Sequence, residues 1–525
     1  MEIRDADVVI VGGGHNGLTA AAYLGLAGLS VVVLERLDGF GGAAVSAETF
    51  DGVEARLSRY SYLVSLLPQR IIDDLSLPIS LAKRRYSSFT PVPGSNQGLL
   101  IDNLDDNATR ESFEALGAGE DFAAWNDFYA DTATLARALF DGVTDPLVTR
   151  SEAREHVASA SGSDEIWNRF IEEPIGRDIA ARFTHDVVRG VVLTDGLIGT
   201  FAPNMDSELE ANRCFLYHVI GGGTGDWDVP VGGMGAVSGA LTEAARLAGA
   251  QLVASAEVLE ITQNNTVRYE KDGVEHSITT RYVLANSSPR ELARLTGGHS
   301  ISIPGEGAQV KVNMVLTRLP KLLDPQVTPE QAFGGTFHIN ETWSQLDKAY
   351  ASADAGSIPS PLPCEIYCHS LTDPSILGEE LQQSGAHTLT VFGLHTPHRL
   401  TEKYDPDELR ALLEAEVLAS LNSVLAEPIE DLLLRDAHGK PCIETKTTHD
   451  LEEALRLPGG NIFHGPLSWP FAEDRDDLST PAQRWGVDSG IGRIVLCGSG
   501  ARRGGAVSGI AGHNAAMAVL EMEAQ

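Results

Sequence analysis

The sequence is short of several things, and each shortage rules something out. Basic residues are scarce: 39 Lys and Arg stand against 73 Asp and Glu, a formal net charge of −34 over 525 residues. A surface of that sign repels nucleic-acid phosphates and anionic lipid head groups. Nucleic-acid partners are therefore not expected. Long apolar runs are missing too: none approaches the roughly 18 residues that a membrane-spanning helix needs. No strongly basic amphipathic helix is present, so membrane contact is expected to be transient at most. The opening MEIRDADVVIVGGG passes almost directly into a strand. It carries no basic region, apolar core or small-residue cleavage site, so no secretory signal is expected. There are only five cysteines, at positions 214, 364, 368, 442 and 497. Their odd number and loose spacing fit a reducing compartment, and a cytoplasmic location is expected. Cys364 and Cys368 fall in the strand-like run CEIYCHSL, with both thiols on one face. No second ligand pair follows at zinc spacing, so no metal site is expected.

What remains is a globular composition, 43% hydrophobic and 21% charged. At roughly 150 residues per domain, the length suggests two to four units. The richest stretch is DVVIVGGGHNGLTAAAYLGLAGLSVVVLERLDGFGG, residues 7–42. Its continuous apolar run, Asp7 to Val11, reads as a strand of a parallel sheet buried on both faces. Gly12, Gly14 and Gly17 follow as G-x-G-x-x-G. They serve in turn the tight turn, the approach of backbone to a pyrophosphate, and close helix–strand packing. A helix is expected from Leu18 to Gly28, its N-terminus offering free N–H groups to phosphate. A second strand ends at Glu35, placed to bind a ribose without a 2′-phosphate, which favours FAD or NAD over NADP.

Related pieces recur. Near the C-terminus, RIVLCGSGARRGGAVSGIAGHNAAMAVLE gives a strand at 494–497, a glycine-rich loop at 498–509 and a helix to about Glu521. Backbone N–H groups of such a loop can face an anionic group. In the middle, VPVGGMGAVSGALTEAARLAGAQL gives a helix from Ala236 to Leu247, and YVLA (282–285) gives another buried strand. Three separated segments thus fold together most simply into one domain.

These motifs resemble the phytoene desaturase-like (phytoene dehydrogenase-related) FAD-dependent oxidoreductases, within the wider monoamine oxidase-like flavoprotein group. Gly41 and Gly42, just after the ribose acid, match the paired glycine of FAD proteins. SYLVSLL and NIFHGPLSWPF also look like this branch. The resemblance implies an α/β fold: a Rossmann-like, doubly wound FAD domain from residues 1–80, 226–300 and 456–525. It also implies an α+β substrate domain from 81–225 and 301–455. It places Gly12, Gly14 and Gly17 on the pyrophosphate, Glu35 with its neighbour Arg36 at the adenosine ribose, and Gly41 and Gly42 in a covering loop. Val258 would meet adenine through its backbone. Gly498, Ser499, Ala506 and Val507 would lie along the ribityl chain and flavin edge. Many relatives carry an Asp after the first glycine of that last motif, where this chain has Ser499.

The implied reaction is dehydrogenation, a hydride passing from a largely apolar substrate to flavin N5. Oxygen or a quinone would be the electron acceptor. His464 and Trp469 are candidates near the ring, His464 as acid or base. Tyr60 and Tyr62 are candidates for the substrate wall. Arg502 and Arg503 are placed to neutralise a phosphate or a reduced flavin, while His513 is expected to pack or cap. His15 is expected to face away from the pyrophosphate. No Cys-x-x-Cys pair follows the first helix, which argues against disulfide reduction. Two other readings stay open: an oxidase or oxygenase of amines or small aromatic metabolites, and a flavin-bearing interaction protein of low turnover.

Overall fold

The structure, a computed structural model, describes residues 3–298 and 305–525. The expected domain boundary between residues 300 and 301 lies outside the described residues.

The run DADVVIV forms the strand Asp5–Val11, and Val8, Val9 and Ile10 are fully buried. It lies at the centre of an eight-stranded sheet. It pairs in parallel with Val31–Leu34 on one side and with Val274–Ala285 on the other. Gln251–Val253 extends the sheet beyond Val31–Leu34, and Ile494–Leu496 pairs with the far edge of Val274–Ala285; both pairings are parallel. Sequence-remote segments therefore meet with their C-terminal ends together, where ligands bind in open α/β sheets. The strand ending in YVLA is longer than expected. Its first half, VEHSITTR, alternates between exposed and more buried positions, so it does not read as an apolar run. That half pairs antiparallel with Thr266–Lys271, which in turn pairs with Ala256–Ile261.

The helix His15–Leu26 begins three residues before the expected Leu18. Gly14 is its N-cap, so Gly17 lies inside the first turn and the turn itself faces the strand ends. Met234–Leu247 and Ile510–Glu523 are the other two helices expected from sequence, and both pack against His15–Leu26.

A second, seven-stranded sheet takes its strands from 86–102 and 310–446, in the order Ile443–Lys446, Val310–Leu316, His387–Gly393, Cys364–Tyr367, Thr336–Ile339, Tyr86–Pro91, Gly98–Asp102. All its pairs are antiparallel except Tyr86–Pro91 with Thr336–Ile339. The strand expected through CEIYCHSL stops at Tyr367, and Cys368 precedes a short helix, His369–Thr372. Helices between 106 and 219 build a separate apolar cluster around Phe128, Trp167, Phe170, Phe183, Phe215 and Phe471. The architecture is the expected α/β sheet with a second α+β region. No helix among the described residues is long and apolar enough to cross a membrane.

Candidate functional site

One cleft runs from the C-terminal ends of the parallel strands to the edge of the second sheet. It encloses about 1880 Å³, its open mouth included. At the strand end Gly12 turns the chain at φ +102°, in the region that favours glycine. A Cβ on Gly17 would stand 2.4 Å from the Gly12 carbonyl oxygen, so the third glycine is required by close packing. Gly41 (φ +122°) donates its N–H to the Gly13 carbonyl at 2.8 Å, tying the second glycine loop over the first. A Cβ on Gly42 would approach Gly14 Cα to 3.0 Å. Gly14 and Gly42 line the cleft; Gly17 and Gly41 stand behind it and fix the backbone.

Glu35 directly follows the strand Val31–Leu34 and is buried. Its Oε2 accepts the Gly13 N–H at 2.7 Å and its Oε1 accepts the Leu37 N–H at 2.8 Å. Each oxygen keeps a lone pair for a ribose hydroxyl. Arg36 lines the same end, its guanidinium donating to the Ala454 carbonyl. Val258 lines it at an irregularity in the strand pairing, between Val258 and Glu260. Such a bulge frees backbone groups from the ladder. Arg456, which the sequence reading did not single out, pairs here with Glu257 and Glu291.

Asn286 was also missed. It follows the strand Val274–Ala285, and its Nδ2 donates to the Gly12 carbonyl at 3.0 Å. A Cβ on Gly498 would meet the Asn286 carbonyl oxygen at 2.9 Å, so the last glycine loop closes on the same residue. The available signal was a polar residue at the end of a buried parallel strand. Ser499, Ala506 and Val507 continue the wall, and Gly498 does not line it.

Two histidines flank this wall. His15, expected to face away from the pyrophosphate, lines the cleft, and its Nε2 is 3.1 Å from the Ala506 carbonyl oxygen. Ala506 itself is at φ +59° and His464 at φ +64°, both left-handed without being glycine. Burial holds the His464 imidazole down at about 4, with the neighbouring His15 adding to the effect. His15 is held at about 4 by burial. The expected imidazole of near-neutral basicity thus gives way to one that is uncharged at neutral pH.

Trp469 does not line the cleft. It packs in the helical cluster, stacked on Phe471 at 5.9 Å between ring centroids with the Arg213 guanidinium at 5.8 Å. Arg503 also lies elsewhere: buried, it donates to the carbonyls of Gly142, Asp145 and Trp485. Arg502 binds the Phe471 carbonyl and Asp476. Both arginines fasten the last glycine loop to neighbouring segments. His513 packs edge-on against Tyr23 at 4.9 Å.

The other end of the cleft is aromatic. Tyr60, Tyr62, Tyr217, Trp227, Phe392 and Phe463 line it. Tyr62 stacks on Trp227 at 5.8 Å and packs on Phe392 at 4.8 Å. Lys311 also lines it, on the strand Val310–Leu316. Burial lowers the Lys311 ammonium to about 7. The sequence signal was present but unread: Lys311 and Asn313 are two apart in an otherwise apolar strand, hence on one face.

The cleft also carries polar atoms that are free to meet a polar ligand such as a dinucleotide. Asn16 Oδ1, Ser287 Oγ and His464 Nδ1 belong to residues lining the cleft, and all three are buried without a hydrogen-bond partner. Buried polar atoms are rarely left unpaired, so polar atoms of a ligand match them. All five cysteines are unpaired and buried, and none lines the cleft.

A family model described as an NAD(P)-binding Rossmann-like domain matches residues 10–69. A solved structure of a putrescine oxidase variant, from a redesign of cofactor binding, superposes with a TM-score of 0.56 over 100% of both chains at 16% identity. The chain therefore shares the fold of that putrescine oxidase. Uncharacterized protein Rv0897c of Mycobacterium tuberculosis is 55% identical over 98% of this chain and 97% of its own length. Pyridine nucleotide-disulfide oxidoreductase domain-containing protein 2 of Mus musculus is 30% identical over 98% of this chain and 93% of its own length. Nearly end-to-end identity at these levels places the chain in the oxidoreductase family that contains these mycobacterial and mouse proteins.

Proposed function

We propose that this chain is an FAD-dependent dehydrogenase resembling the phytoene desaturases and acting on a largely apolar organic substrate. One observation carries the reading: a single cleft has a glycine-and-acid end suited to an adenine dinucleotide and an aromatic end suited to apolar carbon. FAD, when bound, supplies the two-electron acceptor, with N5 as the hydride-receiving atom.

The chain's own residues do the rest. Gly12, Gly14 and Gly42 bring backbone close to the pyrophosphate, and the first turn of His15–Leu26 faces it. Glu35 holds the ribose, Val258 the adenine, and Ser499, Ala506 and Val507 the ribityl edge. Tyr60, Tyr62 and Trp227 exclude water from the reacting carbon. His464, uncharged, offers its unpaired Nδ1 to the ligand. A thiol pair for disulfide chemistry has no counterpart along this cleft among the described residues.

The test is to mix reduced holoprotein rapidly with air-saturated buffer and follow flavin absorbance and peroxide. Slow reoxidation, with fast transfer to a quinone, is the expected result. Fast reoxidation with stoichiometric peroxide replaces the dehydrogenase reading with an oxidase.

A further inference from the structure

The acids lining the cleft among the described residues are Glu35, Glu257 and Glu291, all at the adenosine end. Each is already committed: Glu35 to two backbone N–H groups, Glu257 and Glu291 to Arg456. At the aromatic end the charged or titratable lining groups are Tyr60, Tyr62, Tyr217, His218, Lys311, Lys446 and His464. None is a carboxylate.

Lys311 is the unusual one. It is 3% exposed. Its Nζ donates to the Ser58 carbonyl at 2.7 Å and the Ser61 carbonyl at 2.8 Å. No carboxylate lies within ion-pair distance of it among the described residues. The nearby Glu444 is engaged by Arg59 at 2.8 Å and by Lys446 at 3.4 Å. A lysine ammonium has three donors. Two are used, so one remains, beside the Phe392 ring whose centroid is 5.3 Å away. A buried cation without a counter-ion is costly, which makes it a candidate for a functional role.

We propose that the aromatic end of the cleft takes a carboxylate joined to an apolar ring or chain, anchored on Lys311, in preference to an amine. The proposal rests on the FAD reading above and names its substrate class. An ammonium entering here would meet Lys311 with no uncommitted acid on the wall. A carboxylate would supply the missing counter-ion, and the aromatic wall would cover the apolar part.

Burial lowers the basicity of Lys311 first, Lys446 and Arg59 lower it further, and Glu444 raises it; His369, also nearby, is itself held uncharged at neutral pH. Binding an anion favours the charged lysine, so affinity should fall as pH rises through the lysine's range near 7.

The experiment titrates the FAD-loaded protein with three matched probes: 4-phenylbutyrate, 4-phenylbutanol and 4-phenylbutylamine. Flavin absorbance reports binding. The expected result is that the acid binds at least about tenfold more tightly than the alcohol, roughly the worth of one charge-assisted contact, and the amine most weakly. In Lys311→Met the acid should lose that advantage while the alcohol keeps its affinity. If this variant does not fold, the wild-type pH series decides: acid affinity must fall between about pH 6 and about pH 9 while alcohol affinity stays level. An amine that binds best, an acid no better than the alcohol, or no response to any probe overturns the proposal. Failure to take up FAD is a separate result, seen before any probe is added. It removes the cofactor reading, and this proposal with it.

Discussion

Among single residues, Glu35 and Asn286 do similar work by different means. Each ties a strand end to the first glycine loop, Glu35 through the Gly13 N–H and Asn286 through the Gly12 carbonyl. Replacing Glu35 by Ala removes the proposed ribose acceptor and also leaves the Gly13 and Leu37 N–H groups without their partner. The expected cost is about 1–3 kcal/mol of FAD binding, roughly a 5- to 150-fold rise in Kd by fluorescence titration. An unchanged Kd would show that the ribose lies elsewhere. Gly17→Ala should do worse, because its Cβ would collide with backbone that has no freedom to yield. The variant is expected to lose FAD and melt earlier in a thermal scan, whereas Gly28→Ala, with open space around its Cβ but φ +88°, should show only local strain.

One level up, where helices meet sheets, the helix Asp186–Thr194 is locked to the second sheet by a buried polar chain. Thr194 Oγ lies 2.8 Å from Glu341 Oε2 and 2.9 Å from Glu365 Oε1. One hydroxyl has one hydrogen, so it cannot donate to both carboxylates. One of the two acids must carry a proton and donate it back. His338 Nδ1 lies 2.7 Å from Glu341 Oε2, so Glu341 already has a ring nitrogen as partner. Burial together with Glu341 pushes the Glu365 carboxyl up to about 8, which makes Glu365 the protonated partner. Tyr367 donates its hydroxyl to the other Glu365 oxygen at 2.7 Å and packs against Tyr62 of the cleft wall. His338, Glu341 and Glu365 are close enough to share an ion, but these hydrogen bonds account for their geometry without one. Glu365→Gln keeps the donor and should fold normally. Infrared spectra should then lose the band of a protonated carboxyl; its persistence would assign the proton elsewhere. Gly190→Ala should break the same joint, since its Cβ would lie 1.9 Å from the Glu341 carbonyl oxygen.

Across the molecule as a whole, these groups set opposing pH dependences. His15 and His464 are held at about 4, and His369 and His395 at about 3, all chiefly by burial. The unfolded chain binds those protons more readily, so their contribution is complete above about 6.5 and is lost as pH falls toward 4 and 3. Glu365 acts in the other direction. Its folded form holds the proton, so its contribution is full below about 4.5 and is lost as pH rises to 8. Melting temperature against pH should therefore fall on the acid side below about 6.5, where the histidines outweigh Glu365, and Glu365→Gln should flatten the decline between about 6.5 and 8. A decline unchanged in that variant would remove Glu365 as its source. The net charge of −34 adds self-repulsion near neutral pH, so moderate salt should raise the melting temperature.

The glycine-and-acid end of the cleft is written in the chain order. Gly12, Gly14, Gly17 and Glu35 are read locally, because a tight turn, a helix start and a strand end are properties of adjacent residues. The apolar strands around them likewise declare a parallel sheet buried on both faces. Local pattern misplaced the helix start by three residues, since Gly14 caps it and a glycine is tolerated inside the turn. The rest of the cleft was settled by folding in three dimensions. Asn286, Arg456 and Lys311 reach it from segments far apart in the chain, and nothing in their immediate neighbours announces a ligand. Trp469 and Arg503 stand close in sequence to cleft residues, yet they turn into the helical cluster and onto backbone carbonyls. Pairing between distant segments fixes which face each residue presents, and that long-range choice leaves no periodicity to read.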